Sequence, residues 1–214
     1  MAQRLSRNGQ INEIIKCGKD PVYFMNKYLK IQHPMRGLIP FKTFPFQDDC
    51  VKEFNDHRFN IILKSRQLGL STLVAAYSVW QAIFYKEKNI LIIATKLAVA
   101  QNFIRKVKTY IKSMPKWLLV PTITANNKQQ VEFSNGSQIK AVPTSEDAGR
   151  SEALSLLIVD EAAFVRNFDE LWMGLYPTLS TGGRAIILST PNGVGGQYHD
   201  LYVKAEKKQN NLIL

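Results

Sequence analysis

Three short polar segments, each following an apolar run, contain the residue types best suited to chemistry on phosphates. The first opens a helical pattern, and its residues are Lys64, Ser65, Arg66, Gln67, Leu68, Gly69, Leu70, Ser71 and Thr72. Gly69 and Ser71 stand in the register of the phosphate-binding pattern G-x-x-x-x-G-K-[ST]. Leu70 occupies the Lys position of that pattern, and Lys64 its first Gly position. The segment can still bind phosphates, because backbone N–H groups at a helix start face an anion.

The missing loop lysine must be replaced if this segment binds phosphates. Lys64 and Arg66, at the front of the loop, are the two candidate cations, and the sequence leaves the choice between them open. The Ser71 hydroxyl is suited to holding Mg²⁺ beside the phosphates. The alternative is an ordinary strand-to-helix turn that Ser71 caps.

Two adjacent acids, Asp160 and Glu161, follow the apolar run 156–159. Neighbouring side chains at a strand end point in different directions, so one acid can face a metal and the other a nucleophile. In this interpretation Asp160 holds Mg²⁺ and Glu161 polarises the attacking water. The alternative, a helix N-cap with acids in the first turn, is disfavoured by the apolar run. The acid pair and the phosphate loop together indicate ATP hydrolysis more strongly than either does alone.

The third segment is Ser189, Thr190 and Pro191, directly after the apolar run 186–188. Hydroxyl groups at the end of a buried strand can sense a γ-phosphate, although a plain exit into a turn has the same pattern.

Two weaker candidates lie elsewhere in the sequence. Gln47, beside two phenylalanines, could contact adenine or simply start a helix. Arg150, in a polar loop, could reach a neighbouring subunit's phosphate or be one more surface arginine.

Apolar strands that alternate with helices must position these residues. We expect strands at 59–63, 90–95, 154–159 and 185–189, a hairpin from 130–133 and 138–142, and helices at 10–15, 21–29, 47–55, 71–85, 98–114, 168–176 and 198–208. Residues 37–46 are expected to be irregular. Buried strands joined through helices predict an α/β fold with a parallel sheet covered on both faces. We divide the chain into a small N-terminal helical appendage, 1–36, and a main domain, 37–214.

Charge points to a polyanionic partner, nucleic acid first. The 214 residues include 28 Lys and Arg against 17 Asp and Glu, a net charge of +11 at pH 7. Between Glu87 and Glu132 there is no acid but eight bases: Lys88, Lys96, Arg105, Lys106, Lys108, Lys112, Lys116 and Lys128. Such one-signed surfaces attract phosphate backbones without reading sequence. No apolar run reaches the ~18 residues of a membrane span. The polar N-terminus lacks a signal core, which predicts a cytoplasmic protein.

Taken together, these motifs resemble the large terminase subunit of tailed bacteriophages, the ATPase of the DNA-packaging motor. The resemblance covers roughly residues 40–205. It depends on three motifs in this order: SRQLGLST at 65–72, IVDEAAF at 158–164 and STPNG at 189–193. It implies a P-loop NTPase fold of the ASCE type, with the strand that ends at Ser189 between the phosphate-loop strand and the Asp160 strand.

The resemblance also implies a role for each candidate residue. Residues 64–72 match a deviant phosphate loop for ATP, Asp160 the magnesium acid and Glu161 the catalytic glutamate. Ser189, Thr190 and Pro191 match the coupling motif, and Gln47 the adenine-contact motif. Arg150 matches an arginine that acts on a neighbouring subunit in some members. Arg66 matches a loop arginine proposed to act within its own subunit, and Leu70 departs from the family's usual lysine.

The partners implied by the family are double-stranded DNA, the small terminase subunit and further copies of the chain. Those copies would form a ring, a pentamer by resemblance, on the portal of a procapsid in the host-cell cytoplasm. The family usually continues into a metal-dependent nuclease domain with an acidic cluster, which this sequence lacks, so we expect no DNA cleavage from it. Two alternatives stay open: a helicase- or repair-type ATPase, and a catalytically weak module that binds nucleotide and DNA.

Overall fold

The computed structural model describes residues 5–144 and 152–214 as alternating helices and strands. The helices are α1 (Arg7–Lys19), α2 (Pro21–Tyr28), α3 (Pro45–Asp56), α4 (Leu70–Phe84), α5 (Leu97–Ser113), α6 (Phe168–Leu175) and α7 (Gly196–Glu206), with single 3-10 turns at Ala162–Phe164 and Tyr176–Leu179. The strands are β1 (Lys30–His33), β2 (Gly37–Pro40), β3 (Phe59–Leu63), β4 (Asn89–Ala94), β5 (Ile123–Asn126), β6 (Gln130–Phe133), β7 (Gln138–Pro143), β8 (Leu156–Asp160) and β9 (Arg184–Ser189).

Seven of these strands form one sheet in the order β3-β9-β8-β4-β7-β6-β5. The first five are parallel, and β6 and β5 add an antiparallel edge. Strand β9 therefore lies between β3 and β8, the order that the terminase resemblance implies. The carboxyl ends of β3, β9 and β8 meet at the same edge of the sheet, where ligands bind in open α/β sheets.

Both faces of the parallel strands are buried, each in its own hydrophobic cluster. On β8, Leu156 and Ile158 pack into the cluster that α1 to α5 share, while Leu157 and Val159 pack into the cluster of α6 and α7. The alternation follows from the two-residue period of a strand. The predicted α/β fold, with helices on both faces of a largely parallel sheet, is confirmed.

The two N-terminal helices are locally capped and pack on α4. The Ser6 hydroxyl accepts a hydrogen bond from Gly9 N (3.2 Å), and the Asp20 carboxylate accepts one from Tyr23 N (2.8 Å). Trp80 of α4 donates its indole N–H to the Cys17 carbonyl (2.8 Å). Segment 1–36, predicted as an appendage, thus contributes side chains to the same hydrophobic cluster as α4.

The expected strands and helices of the main domain are present with shifts of a few residues at their ends. One expectation was wrong, and one strand was not expected. Residues 37–40 are not irregular, because β2 pairs with β1 as an antiparallel hairpin. Residues 123–126, for which no element was expected, form β5 along β6. Both strands have four residues, too few for a periodic pattern to emerge. Among the described residues, no helix has both the length and the apolarity needed to cross a membrane.

Candidate active site

The ends of three neighbouring strands bring together residues that the sequence analysis assigned to phosphate, metal and water chemistry. Lys64 follows β3, Asp160 ends β8 and Ser189 ends β9. The Lys64 N–H donates to the Ser189 carbonyl (2.9 Å), which extends the β3–β9 ladder to the first residue of the loop. Sequence positions more than a hundred residues apart therefore share one edge of the sheet.

The Lys64 ammonium lies between the two acids. Its Nζ is 2.6 Å from Glu161 Oε1 and 3.8 Å from Asp160 Oδ1. The side chains of Lys64 and Asp160 are only 7% and 5% exposed, whereas that of Glu161 is 30% exposed. One buried ammonium thus faces two carboxylates, so these three groups carry a net negative charge when both acids are ionised.

Ser71 lies on the first turn of α4, and its hydroxyl donates to Asp160 Oδ2 (2.8 Å). The helix N-cap is Gly69, with no side-chain capping bond, so the alternative of a turn capped by Ser71 is not what the structure shows. A hydroxyl and a carboxylate at this distance supply the hard oxygen ligands that Mg²⁺ prefers.

The loop itself needs unusual backbone conformations. Gly69 has φ 72°, a conformation that favours glycine, and a Cβ on it would lie 2.9 Å from Gln47 Nε2, so any larger residue would also displace that buried amide. Gln67 also lies in the left-handed region, with φ 64°. Leu70, at the position where the pattern has lysine, is 3% exposed and belongs to the core. No cation at position 70 takes part in this site.

Glu161 is held by both of its carboxylate oxygens in a left-handed backbone conformation, φ 56°. Its Oε2 accepts hydrogen bonds from Thr190 N (2.9 Å) and Thr190 Oγ1 (2.8 Å), while Lys64 holds Oε1. Burial by itself would raise the pKa of Glu161, but the bonds from Lys64 and Thr190 outweigh it and lower that pKa below its ordinary value. Glu161 is therefore a fixed carboxylate at neutral pH.

Asp160 behaves differently because it is more deeply buried. Burial raises its pKa above the ordinary value, and the hydrogen bond from Ser71 and the attraction by Lys64 oppose this only in part.

Ser189, at the end of β9, is fully buried, and its hydroxyl accepts a hydrogen bond from Ala163 N (3.0 Å) and donates one to the Thr190 carbonyl (2.8 Å). The candidate coupling residues Ser189 and Thr190 thus contact the turn that carries Glu161. Pro191 follows directly.

Gln47 connects α3 to the loop 64–72. Its amide Nε2 donates to the Leu68 carbonyl (2.8 Å), its Oε1 accepts from Phe44 N (3.2 Å), and the residue is 2% exposed. Beside it, the rings of Phe44 and Phe46 stack at 5.8 Å and are 60% and 40% exposed. An aromatic surface is available there, and the predicted adenine contact of Gln47 stays a prediction.

A cavity of about 820 Å³ opens on the Glu161 side of the site. Three cations line it, Arg66, Lys96 and Arg166, together with Glu161 and Thr190. Arg66, the second candidate loop cation, is exposed and faces this cavity, whereas Lys64 lies beneath it between the acids. The two candidates for the missing lysine thus occupy different depths of the same site.

A second cavity, of about 540 Å³, lies on the Ser71 side of Asp160 and is lined by two cations that sequence reasoning did not assign to the site, the exposed Arg105 and the less exposed Lys106. Lys106, on α5, lines it with Ser71, Thr72 and Asp160. In the sequence, Lys106 is one base in the acid-free run. The signal that could have placed it is its spacing, three residues after Phe103 and four before Tyr110, both of which face the core.

Arg150 lies outside the described residues. The described residues on either side of that gap are at opposite edges of the sheet. Thr144 lines the Glu161 cavity, and Glu152 accepts a hydrogen bond from Asn89 (3.1 Å) at the start of β4.

Residues 61–210 match the family model described as terminase large subunit, T4likevirus-type, N-terminal. The chain belongs to the terminase large subunit family. The matched stretch includes the loop 64–72, the acid pair and the segment 189–191, so the resemblance that the motifs indicate is confirmed.

Solved structures agree in fold. The large terminase of bacteriophage HK97 is 16% identical, with a TM-score of 0.74, over 92% of this chain and 43% of that one. A mutant of the ATPase domain of the large terminase of Thermus phage P74-26 is 18% identical, with a TM-score of 0.65, over 77% and 71%. A large terminase from a thermophilic bacteriophage, in complex with ATP-γ-S, is 15% identical, with a TM-score of 0.56, over 74% and 39%. The terminase chain described here thus spans less than half the length of the HK97 large terminase.

Proposed function

We propose that this chain is the ATP-hydrolysing motor domain of a terminase large subunit. The observation that carries the proposal is the arrangement of Glu161, locked by Lys64 and Thr190, beside the Ser71–Asp160 pair at the carboxyl edge of the sheet. Family membership and the ATP-γ-S complex of a relative support nucleotide as the ligand.

ATP phosphates would bind at the loop 64–72, where the first N–H groups of α4 have no partners within the helix. The Ser71 hydroxyl and the Asp160 carboxylate would hold Mg²⁺, which would offset the negative charge of the phosphates. The hydrogen bond between these two side chains holds the two ligand oxygens, Ser71 Oγ and Asp160 Oδ2, 2.8 Å apart.

Glu161 would orient and polarise the attacking water. It is suited to this because its carboxylate is ionised, partly exposed and fixed by donors on both oxygens. Thr190 would shift Glu161 when the γ-phosphate is bound or lost, since its hydroxyl and its backbone N–H both donate to Glu161 Oε2. The Lys64 ammonium would neutralise phosphate and acid charge together, and Arg66 would approach the γ-phosphate from the cavity.

One direct test measures ATP turnover of the chain with and without Mg²⁺, alongside Asp160→Asn. We expect turnover to require Mg²⁺ and to be lost in Asp160→Asn, while thermal stability is kept or increased because a buried charge is removed. Undetectable turnover in the wild type, with nucleotide still bound, would favour the alternative of a weak nucleotide-binding module.

The motor role extends the proposal to partners: double-stranded DNA, a small terminase subunit and a ring of copies, a pentamer by family resemblance, on the portal of a procapsid in the host cytoplasm. The net charge of +11 supports a polyanionic partner. On α5, Arg105 and Lys112 are exposed. We expect weak, sequence-independent DNA binding whose affinity falls steeply with salt. A flat salt dependence in a titration from low to physiological ionic strength would argue against a DNA-facing α5.

A ring would allow Arg150 to act on the neighbouring subunit's ATP. We expect Arg150→Ala to lower turnover with little change in ATP affinity, and a mixture of Arg150→Ala with Glu161→Ala to recover part of the activity. An arginine supplied in trans can be worth roughly 10³–10⁵ in turnover. If the mixture stays inactive while both proteins are folded and assembled, Arg66 acting within its own subunit becomes the better candidate.

A further inference from the structure

The cations of the site are unevenly placed, because Arg66, Lys96 and Arg166 line only the cavity on the Glu161 side. Lys64 is the one ammonium between two carboxylates, and its shortest contact, 2.6 Å, is to Glu161. Leu70 is buried and apolar. A triphosphate with one Mg²⁺ keeps a net negative charge, so a cation on the metal side, next to Ser71 and Asp160, would stabilise a nucleotide bound there.

Lys106 lies on the metal side of the site. It shares the 540 Å³ cavity with Ser71, Thr72 and Asp160, and its ammonium is 5.4 Å from the centroid of the Phe103 ring. The residue takes part in none of the ion pairs among the described residues. Burial lowers its pKa, and attraction by Asp160 opposes that shift. A partly desolvated ammonium facing a cavity favours an anion there.

The position of Lys106 is fixed by the packing of α5 on the start of α4. Tyr110, one turn further along α5, is 1% exposed and donates its hydroxyl to the Thr72 carbonyl (3.0 Å). Phe103, on the preceding turn, is 2% exposed. Residues three and four apart share a helix face, so these two anchors direct Lys106 toward the first turn of α4.

We propose that Lys106 is a second cation of the nucleotide site, which contacts the phosphates from the α5 side and compensates for the lysine that position 70 lacks. The inference rests on the proposed nucleotide-binding function of the chain. Lys64 then holds the acids and contacts the phosphates from the front of the loop, and Lys106 contacts the phosphate chain next to the metal.

Isothermal titration of the whole chain with ATP-γ-S in Mg²⁺ tests this. We expect Lys106→Met, which keeps the length of the side chain without its charge, to weaken binding about ten- to a hundredfold. Lys106→Arg should stay within a few-fold of the wild type. The matched control is Lys52→Met, an exposed lysine on α3. Thermal melting should show Lys106→Met folded, because it removes a partly buried charge.

A second measurement needs no variant. Acylation of lysines, read by peptide mass mapping, should slow at Lys106 when ATP-γ-S is bound and stay unchanged at Lys52. Wild-type affinity in Lys106→Met, or equal acylation of Lys106 with and without ATP-γ-S, overturns the inference. Loss of DNA binding in Lys106→Met with nucleotide affinity intact also overturns it, and assigns the anion to DNA. A wild-type chain that binds no nucleotide instead refutes the proposed function itself.

Discussion

Two Lys–Glu ion pairs in this terminase chain have the same length and opposite surroundings. Lys27 Nζ is 2.6 Å from Glu13 Oε1 in the N-terminal helices, and Lys64 Nζ is 2.6 Å from Glu161 Oε1 at the sheet edge. The Lys27 side chain is 46% exposed, whereas that of Lys64 is 7% exposed. By distance alone the two pairs cannot be told apart.

The groups around each acid separate them. Glu13 Oε1 accepts hydrogen bonds from Tyr23 (2.6 Å) and Tyr28 (2.8 Å) as well as Lys27, and no second acid joins this cluster among the described contacts. Glu161 shares its lysine with Asp160, has a left-handed backbone and borders a large cavity. Glu13 is a satisfied acid that stabilises two helices, while Glu161 is part of a site with unbalanced charge and strained backbone.

The lesson is that an ion pair does not identify a site by itself. Excess charge, a left-handed backbone at a non-glycine residue and an adjoining cavity occur together only at Glu161 among these two acids. Such features cost stability and persist where function requires them.

The largest difference is expected in turnover. Glu161→Ala should lower ATP hydrolysis by about 10²–10⁴, the usual contribution of a general base, while nucleotide binding survives. Glu13→Ala should keep turnover close to that of the wild type, provided that the protein is assayed below its melting temperature. Steady-state ATPase rates with a nucleotide-binding control measure both. Near-wild-type turnover in Glu161→Ala would remove it from the mechanism.

Nucleotide affinity should distinguish the two lysines. Lys64→Ala should weaken ATP-γ-S binding by about tenfold or more, as expected for the loss of a charge-assisted contact. Lys27→Ala should have no effect on it. Leu70→Ala should mainly destabilise the fold, because Leu70 is a core residue. Unchanged affinity in Lys64→Ala would transfer the phosphate contact to Arg66 or Lys106.

Acid stability should depend on Glu13. Burial would raise the pKa of Glu13, but bonds from Lys27, Tyr23 and Tyr28 lower it from 4.5 to about 2. The stabilisation is therefore present above pH 4.5 and is lost as the pH falls toward 2. Glu13→Gln should cost about 1–3 kcal/mol of unfolding free energy at neutral pH and flatten its pH dependence in that window. Denaturant unfolding at several pH values measures this. If the unfolding free energy of Glu13→Gln varied with pH as steeply as that of the wild type, the prediction would be wrong.

The smallest effect is expected from removing one hydroxyl donor to each acid, that of Thr190 at Glu161 and that of Tyr23 at Glu13. Thr190→Val keeps the backbone N–H bond to Glu161 and removes only the hydroxyl, so turnover should fall about two- to tenfold, the worth of one hydrogen bond. Tyr23→Phe removes the corresponding hydroxyl from Glu13 and should lower stability without changing turnover. If Tyr23→Phe reduced turnover as much as Thr190→Val, the two acids would not be functionally distinct.

The amino-acid sequence by itself determined the local features of this protein. Apolar runs of five or six residues between helical patterns predicted the parallel strands, and the terminase resemblance implied that the strand ending at Ser189 lies between those ending at the loop 64–72 and at Asp160. The predictions of strands and helices succeed because strand burial and helix periodicity follow from local spacing.

The tertiary structure alone decided which side chains of the site contact one another. Ser71 and Asp160 are 89 positions apart, and Lys64 and Glu161 are 97 apart, so no local pattern encodes their contacts. The four-residue strands β1, β2 and β5 and the placement of Lys106 depend likewise on partners elsewhere in the chain. The physical reason is that side-chain contacts between distant segments arise from packing in three dimensions, whereas sequence periodicity specifies only which face of each element is buried.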